Sequence, residues 1–430
     1  MQKILLFIAS LFYFNFLFSK NEIKSWQGIH ETPLSRLEQQ FAEPPVEFAN
    51  HVIWGWEGKM DKKTICNDLD SIKKKGFRAV IFEAGYKLPF KYLSEEWFKA
   101  IRTGVVEAKK RDMKVWIIDE GKYPSGFAGG KFSQERPDLR MQALVIGDTI
   151  QIKRGEVMTN HKIAPEIISA VAVSTSGAPN RTIEINNGKI SFNAGLDDWK
   201  ILLVKSDFRT AVTRAVNNPN GGKDATNSLC DYLNPVAVQQ FIDWTHKQYK
   251  KYLGKELGTT VLGFRGDEPD YAHLPWTPSI VQTFKDTKGY DPTPYLASFF
   301  TASPTIQEQR VKADYWDVWS SLFATHFFKL QADWCAANGV AHITHLNKEH
   351  EMPACVKAEG DYFRALSKVQ IPGVDAIWNQ IWPSTLNDFP KLASSVAHVY
   401  GKPRAFSESF AAYHISPTIP QAKFVVDQIG

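Results

Sequence analysis

Cysteine is scarce: Cys66, Cys230, Cys335 and Cys355 are the only four in 430 residues, and none fall in C-x-x-C spacing. That removes the usual spacing signals for a zinc site and gives no sign of a thiol nucleophile. Export would permit disulfides, with three ways to pair four thiols, but a chain of this size does not need them. Charge of one sign is also thin. The net charge is +5, and short runs such as Lys73-Lys74-Lys75 and Lys109-Lys110-Arg111 read as solvated helix faces. Nucleic-acid binding is therefore not expected. No Gly-rich phosphate loop follows the first strand, which counts against a nucleotide-binding sheet. Beyond the N-terminus no apolar run is long enough to cross a bilayer, so no stable membrane span is expected.

An apolar run does open the chain. Met1-Gln2-Lys3 begins it with a positive charge, Ile4 to Phe18 is broken only by Ser10 and Asn15, and Ser19 is small enough for cleavage. So short a run, so near the terminus, reads as a signal peptide over residues 1–19, an uncleaved anchor being the competing reading. No cysteine follows it, which argues against a lipid anchor. The expectation is an exported protein, periplasmic or extracellular. Residues 20–46 read as an N-terminal arm and 47–430 as a catalytic barrel. Hydrophobic residues at 43% and charged residues at 23% are ordinary for a globular chain, while 13 Trp could supply flat surfaces for sugar rings.

From His51 onward one unit recurs: short apolar strand, polar loop, amphipathic helix, glycine, next strand. Seven strands are expected, at His51–Trp56, Phe77–Phe82, Met113–Ile118, Thr260–Phe264, Val340–Thr344, Gly373–Ile377 and Arg404–Ser407. Ile65, Leu69 and Ile72 give one helix its buried stripe, and Trp97, Ile101 and Val105 give the next. Asn234-Pro235 opens a helix whose stripe runs from Val238 to Leu253, and a long aromatic helix is expected from about Tyr315 to Asn338. Between strands three and four the rhythm breaks. Residues 141–222 alternate apolar and polar residues and carry turn signals, so a β-rich insertion is expected, closing with a flexible return over Asn217 to Gly222. Repeated βα units imply a parallel sheet with right-handed crossovers. The fold class is thus α/β, a (β/α)8 TIM-type barrel. A helix over Ile419 to Ile429 runs into Gly430, where the eighth strand is due, so the last strand is expected to be lacking.

Active sites of such barrels lie at the C-terminal ends of the strands. Here those ends carry Glu83, Asp119, Glu120, Asp267, Glu268, His345, Asn347, Glu349, Asp375 and Glu408. A carboxylate in a β-rich apolar run is costly unless paired, hydrogen-bonded or functional. Glycoside hydrolysis needs one carboxylic acid to protonate the leaving oxygen and a second carboxylate to activate water or attack carbon. Glu268 and Glu408 are the first choices, because strands four and seven face each other across an eight-stranded barrel. Singly, each is as readily a structural ion-pair residue; the set as a whole is harder to explain as structure. Asp119, Glu120, Asp267, His345 and Asp375 are expected to bind substrate. Trp54, Trp56, Trp276, Trp378 and Trp382 lie near the same ends, with Trp56 and Trp378 put forward as sugar platforms and core packing as the competing role.

These residues resemble the α-L-rhamnosidase-like glycoside hydrolases, family 106 and its relatives. The matching segments, in order, are Trp54-Gly-Trp-Glu-Gly58, Ile118-Asp-Glu-Gly-Lys-Tyr-Pro-Ser-Gly-Phe-Ala-Gly-Gly130, Asp231-Tyr-Leu-Asn-Pro235, Gly263-Phe-Arg-Gly-Asp-Glu-Pro269, Gly360-Asp361, Ile371-Pro-Gly-Val-Asp375 and Phe406-Ser-Glu-Ser409. The resemblance implies an exported barrel enzyme removing a terminal α-L-rhamnoside-like deoxysugar from plant or bacterial polysaccharide. An inverting mechanism and a calcium ion (Ca2+) near the active site would also fit that family. By motif, Glu268 carries over as a catalytic carboxylate with Glu408 as partner, and Glu120 is an alternative for the second role. Two other readings compete. A non-catalytic carbohydrate-binding relic would keep the cleft without turnover. A metal-dependent amidohydrolase would want His-x-His after strand one, where Trp54-Gly55-Trp56 stands, and His342 with His345 makes a poor metal set.

Overall fold

Seven parallel strands carry the fold, and their order in the sheet follows their order in the chain. They are β1 (His51–Trp56), β2 (Ala79–Ala84), β3 (Lys114–Ile118), β4 (Val261–Gly266), β5 (Ala341–Thr344), β6 (Ile371–Ala376) and β7 (Phe406–Ser409). This is a computed structural model, describing residues 33–43, 50–121, 123–210, 213–214, 223–224, 228–271, 274–382, 387–413 and 417–430. The expected signal peptide and the Asn217–Gly222 return lie outside the described residues. The sheet is curled into a partial barrel with β1 and β7 as its edges, an arrangement compatible with a TIM-like fold. No helix among the described residues is long and apolar enough to cross a membrane.

Alternation along each strand sorts side chains into two layers. Val80, Phe82, Val115, Ile117 and Phe264 face outward onto Ile65, Leu69, Trp97, Ile101 and Val105 of the flanking helices. Ile81, Trp116, Ile118, Leu262, Ala341, Ile343 and Ile371 fill the concave side. Those helices form for local reasons. Asp61 caps Lys62–Lys74 by accepting from the Thr64 backbone N–H at 2.9 Å, and Ser94 caps Glu95–Lys110 through the Trp97 N–H at 3.3 Å. Glu95 and Glu96 in the first turn, with Lys109 and Lys110 in the last, suit the helix dipole.

Several boundaries differ from those expected. The stripe from Val238 to Leu253 belongs to two helices, Pro235–Trp244 and His246–Leu253, because the backbone breaks at Thr245. The aromatic helix begins at Ile306, where Thr305 and Glu308 form a capping box, and a π-helical segment at Phe323–Phe328 interrupts it. Strand seven starts two residues late, which places Glu408 within the strand instead of after it. Strand two likewise contains Glu83.

Between β3 and β4, strands at Gln142–Ile152, Ile167–Ser174, Arg181–Ile183 and Trp199–Phe208 make an antiparallel sheet with its own core around Trp199, Phe192 and Ile201. Its fifth strand is Pro275–Trp276, contributed from beyond β4 and paired with Ala143 and Gln142. Trp276 is buried there.

Trp56 is a correction to the sequence reading. It is fully buried on the helix side of the sheet, its ring 5.0 Å from that of Phe82 and 5.7 Å from that of Trp97. A sugar cannot reach it. Replacing Trp56 by Ala should cost about 3–5 kcal/mol of stability through the cavity left behind. Glycan affinity of the folded fraction should stay unchanged, as chemical denaturation beside a binding titration would show.

Candidate active site

On the concave side, stepping two residues up each strand from the apolar layer reaches a charged one. Ile81 leads to Glu83, Gly263 to Arg265, Ile343 to His345, Gly373 to Asp375 and Phe406 to Glu408. Arg265 reaches this layer through an irregularity. Val261 pairs with Val115 but Gly263 pairs with Trp116, so Leu262 is an extra residue in the ladder. Without that bulge the parity of β4 would reverse and Arg265 would point into the helix layer. Sequence reasoning passed over Arg265. The signal was there in a lone arginine at the end of an apolar strand, but the bulge that turns it inward has no visible code.

Arg265 is buried and holds two carboxylates. Its Nη2 pairs with Glu408 Oε2 and lies 3.3 Å from Asp267 Oδ1. His345 stands beside it, with Nε2 3.3 Å from Glu408 Oε2 and 3.4 Å from Asp267 Oδ1. Its Nδ1 lies 3.0 Å from the Leu346 carbonyl and 3.7 Å from Glu349 Oε1. Burial opposes a charge on His345, yet Asp267, Glu349 and Glu408 together hold its imidazole well above the ordinary histidine range. Glu349 also accepts from the backbone N–H of Leu346 at 3.0 Å and of Asp375 at 3.4 Å, tying the loop after β5 to β6.

The carboxylates are pushed apart in proton affinity. Burial, together with the negative charges of Asp267 and Asp375, lifts Glu268 well above the usual carboxylate range although His345 pulls the other way. Asp375, which accepts a hydrogen bond from Glu268, is raised to about 7, again chiefly by burial. Burial also works against ionising Glu408, but Arg265 and His345 overcome it and hold that carboxyl at about 2. One carboxyl thus keeps its proton near neutrality and another has lost it.

Asp119 and Glu120, expected as substrate-binding residues, are fully buried and turned to structural partners. Asp119 Oδ1 accepts from Ser125 Oγ at 2.7 Å, and burial raises it to about 7. Glu120 accepts the backbone N–H groups of Gly121, Ala128 and Gly129, organising the loop after β3. Burial lifts its carboxyl to about 8 against those donors. Both Glu120 oxygens are held by backbone donors, which leaves that carboxylate unable to act as the second catalytic group, whereas Asp119 Oδ2 is buried without a hydrogen-bond partner.

Of the tryptophans, Trp54 packs with Trp56 on the helix side, while Trp378 at 60% and Trp382 at 41% are exposed beyond β6. Trp378 is the platform candidate that remains. Tyr123, Asp270 and Asn347 form a group the sequence reading had not joined. The Asn347 Nδ2 group donates to Tyr123 Oη at 3.0 Å and lies 3.5 Å from Asp270 Oδ2. Burial and the charges of Asp270 and Glu268 raise the Tyr123 hydroxyl, so it stays a donor. His342 points into the helix layer, and burial lowers it to about 4. All four cysteines are free.

Among the described residues two groups could hold a metal ion: Asp267, His345 and Glu408, and Glu268, His345 and Asp375, with donor atoms within 4.8 Å of one another. Both depend on the same histidine nitrogen donors, whereas calcium takes six to eight oxygens. Arg265 already pairs with both Glu408 and Asp267. This donor set does not fit calcium.

A charged layer of paired carboxylates at the C-terminal ends of parallel strands defines the class: α/β proteins with a glycoside-hydrolase-like site. The chain belongs to glycoside hydrolase family 106, whose model, described as alpha-L-rhamnosidase, matches residues 158–423. It is similar to a protein of Formosa agariphila named "Putative beta-glucuronidase", at 23% identity over 88% of this chain and 35% of that one. Its fold is similar to that of a rhamnosidase from Novosphingobium sp. PP1Y, with a TM-score of 0.63 and 15% identity over 87% of this chain and 53% of the other. The chain therefore spans about a third and about half of the lengths of these two relatives.

Proposed function

We propose that the chain is the acid–base part of an exported glycoside hydrolase removing a terminal α-L-rhamnoside-like deoxysugar from polysaccharide. Glu268 is the general acid that protonates the leaving oxygen, and Glu408 is the second carboxylate, acting as base on water. The observation that carries the reading is the opposed proton affinity of these two groups, Glu268 raised and Glu408 held at about 2. Asp267, His345, Asp375 and Trp378 line the sugar site, and Arg265 holds Glu408 ionised. An eighth strand between β1 and β7 would close the barrel. A neutral deoxysugar suits this site better than a uronate. Its partly accessible charged groups, Asp267, Glu268 and Glu408, are carboxylates, and its guanidinium is already engaged by Glu408 and Asp267.

The test is to assay the full-length protein on aryl α-L-rhamnosides and aryl β-glucuronides, reading the first-formed anomer by NMR. Rhamnoside turnover with inversion supports the reading. Turnover of the glucuronide alone would replace the sugar. Binding without turnover of either would make the protein a carbohydrate-binding relic.

A further inference from the structure

We infer that Ser125 is a positioning residue for Glu268, fixing the backbone from which that side chain projects. The inference rests on Glu268 being the general acid. Ser125 is fully buried in the loop after β3, and every polar group it owns is engaged. Its backbone N–H donates to the Asp267 carbonyl at 2.8 Å, and its Oγ accepts from the Asp267 N–H at 2.7 Å. Its own hydroxyl hydrogen goes to Asp119 Oδ1 at 2.7 Å, and its carbonyl accepts from the Tyr232 hydroxyl. Both backbone polar groups of Asp267 are therefore held by one serine.

The next residue shows why that matters. Glu268 has φ +38°, a conformation uncommon for a side chain with a Cβ, and Pro269 follows, which biases the residue before it toward extended backbone. Such a conformation persists only when its surroundings over-determine it. Ser125 supplies that constraint from one side. Asp119 orients the hydroxyl, because a serine with one O–H can accept from Asp267 only while its hydrogen points elsewhere. The latch is anchored below. Gly126 has φ +97°, and a Cβ there would lie 2.5 Å from the Tyr232 ring, so only glycine lets the loop settle on that tyrosine.

A merely structural serine and a positioning one differ in what they do to the acid. Help from a general acid matters most for a poor leaving group. In the full-length protein, Ser125→Ala should lower kcat about 100-fold on an unactivated α-L-rhamnoside. The loss on a nitrophenyl α-L-rhamnoside should be much smaller, with KM little changed on either substrate. Ser125→Thr restores the oxygen and should recover most of the lost rate. If Ser125→Ala does not fold, Ser125→Cys, which keeps the volume but accepts weakly, carries the same comparison. Equal losses on both substrates, or no loss, would overturn the inference. Glu268→Gln run alongside separates the two ideas. If it lacks the leaving-group split, the acid assignment fails; if it shows the split and Ser125→Ala does not, the positioning role fails.

Discussion

Replacing Glu268 by Gln is expected to lower kcat/KM on an unactivated glycoside by about 10²–10⁴-fold, the usual worth of a positioned general acid. The pH profile should change with it. A general acid works only while protonated, so activity is present below its pKa and lost as pH rises through it. Burial and the charges of Asp267 and Asp375 raise that pKa, so the parent should hold its rate through neutrality and fall on the alkaline side. In Glu268→Gln that limb should vanish. Stability follows the same sign. The folded carboxyl keeps a proton that the unfolded chain releases above about pH 4.3, so this group's contribution declines as pH rises through the folded value. An unchanged rate, or an alkaline limb that survives the substitution, would remove Glu268 from the mechanism.

The second large effect concerns Arg265. Substituting Met removes the buried guanidinium and leaves Glu408 and Asp267 with His345 as their remaining cationic neighbour, which should cost about 3–5 kcal/mol at neutral pH. Glu408 is held at about 2 in the folded protein. Its favourable contribution is present above the unfolded value of about 4.3 and is lost as pH falls toward 2. Without Arg265 the folded pKa rises, so the stability gap between parent and variant should narrow on acidification. Kinetics should report the same change. A base must be ionised, and in the parent no acidic limb from Glu408 is expected across the range in which the protein is assayed. Arg265→Met should bring one in, as a fall in kcat/KM toward low pH. Denaturation curves at two pH values and a pH–rate series on the folded variant check both halves. A variant as stable as the parent, with no new limb, would show that Arg265 does not govern Glu408.

The strand–helix rhythm was legible because buried stripes and alternation are written in residue type. Seven parallel strands could be read from β-branched runs and their following helices. Glu268, Glu408, His345 and Asp375 could be picked out because charge at the end of an apolar strand is conspicuous. What could not be read was direction. Trp56 and Asp375 both sit near strand ends, yet one faces the helices and the other the cleft, and the difference is a single step of parity. In β4 that parity is reset by the extra residue Leu262, which brings Arg265 inward without any special residue type to announce it. Asp119 and Glu120 misled for a related reason. Their sequence position matches that of cleft residues, but the chain folds back over them, and only the donors of Ser125, Gly121, Ala128 and Gly129 reveal that both Glu120 oxygens and one of Asp119's are already engaged.

The two-residue strand Pro275–Trp276 has a bearing on how such a protein can change over time. It leaves the loop that carries Glu268 and joins the inserted sheet through Ala143 and Gln142. Its Pro275 carbonyl also accepts from the Tyr315 hydroxyl at 2.6 Å, and the neighbouring Thr277 donates to Asp231 at 2.8 Å. The insertion is stitched to the loop that carries Glu268, so it is no interchangeable cassette. A homologue's version could be grafted only together with the segment after Pro269. Drift in either piece has to be matched by the other, which ties the history of the insertion to that of the loop bearing Glu268.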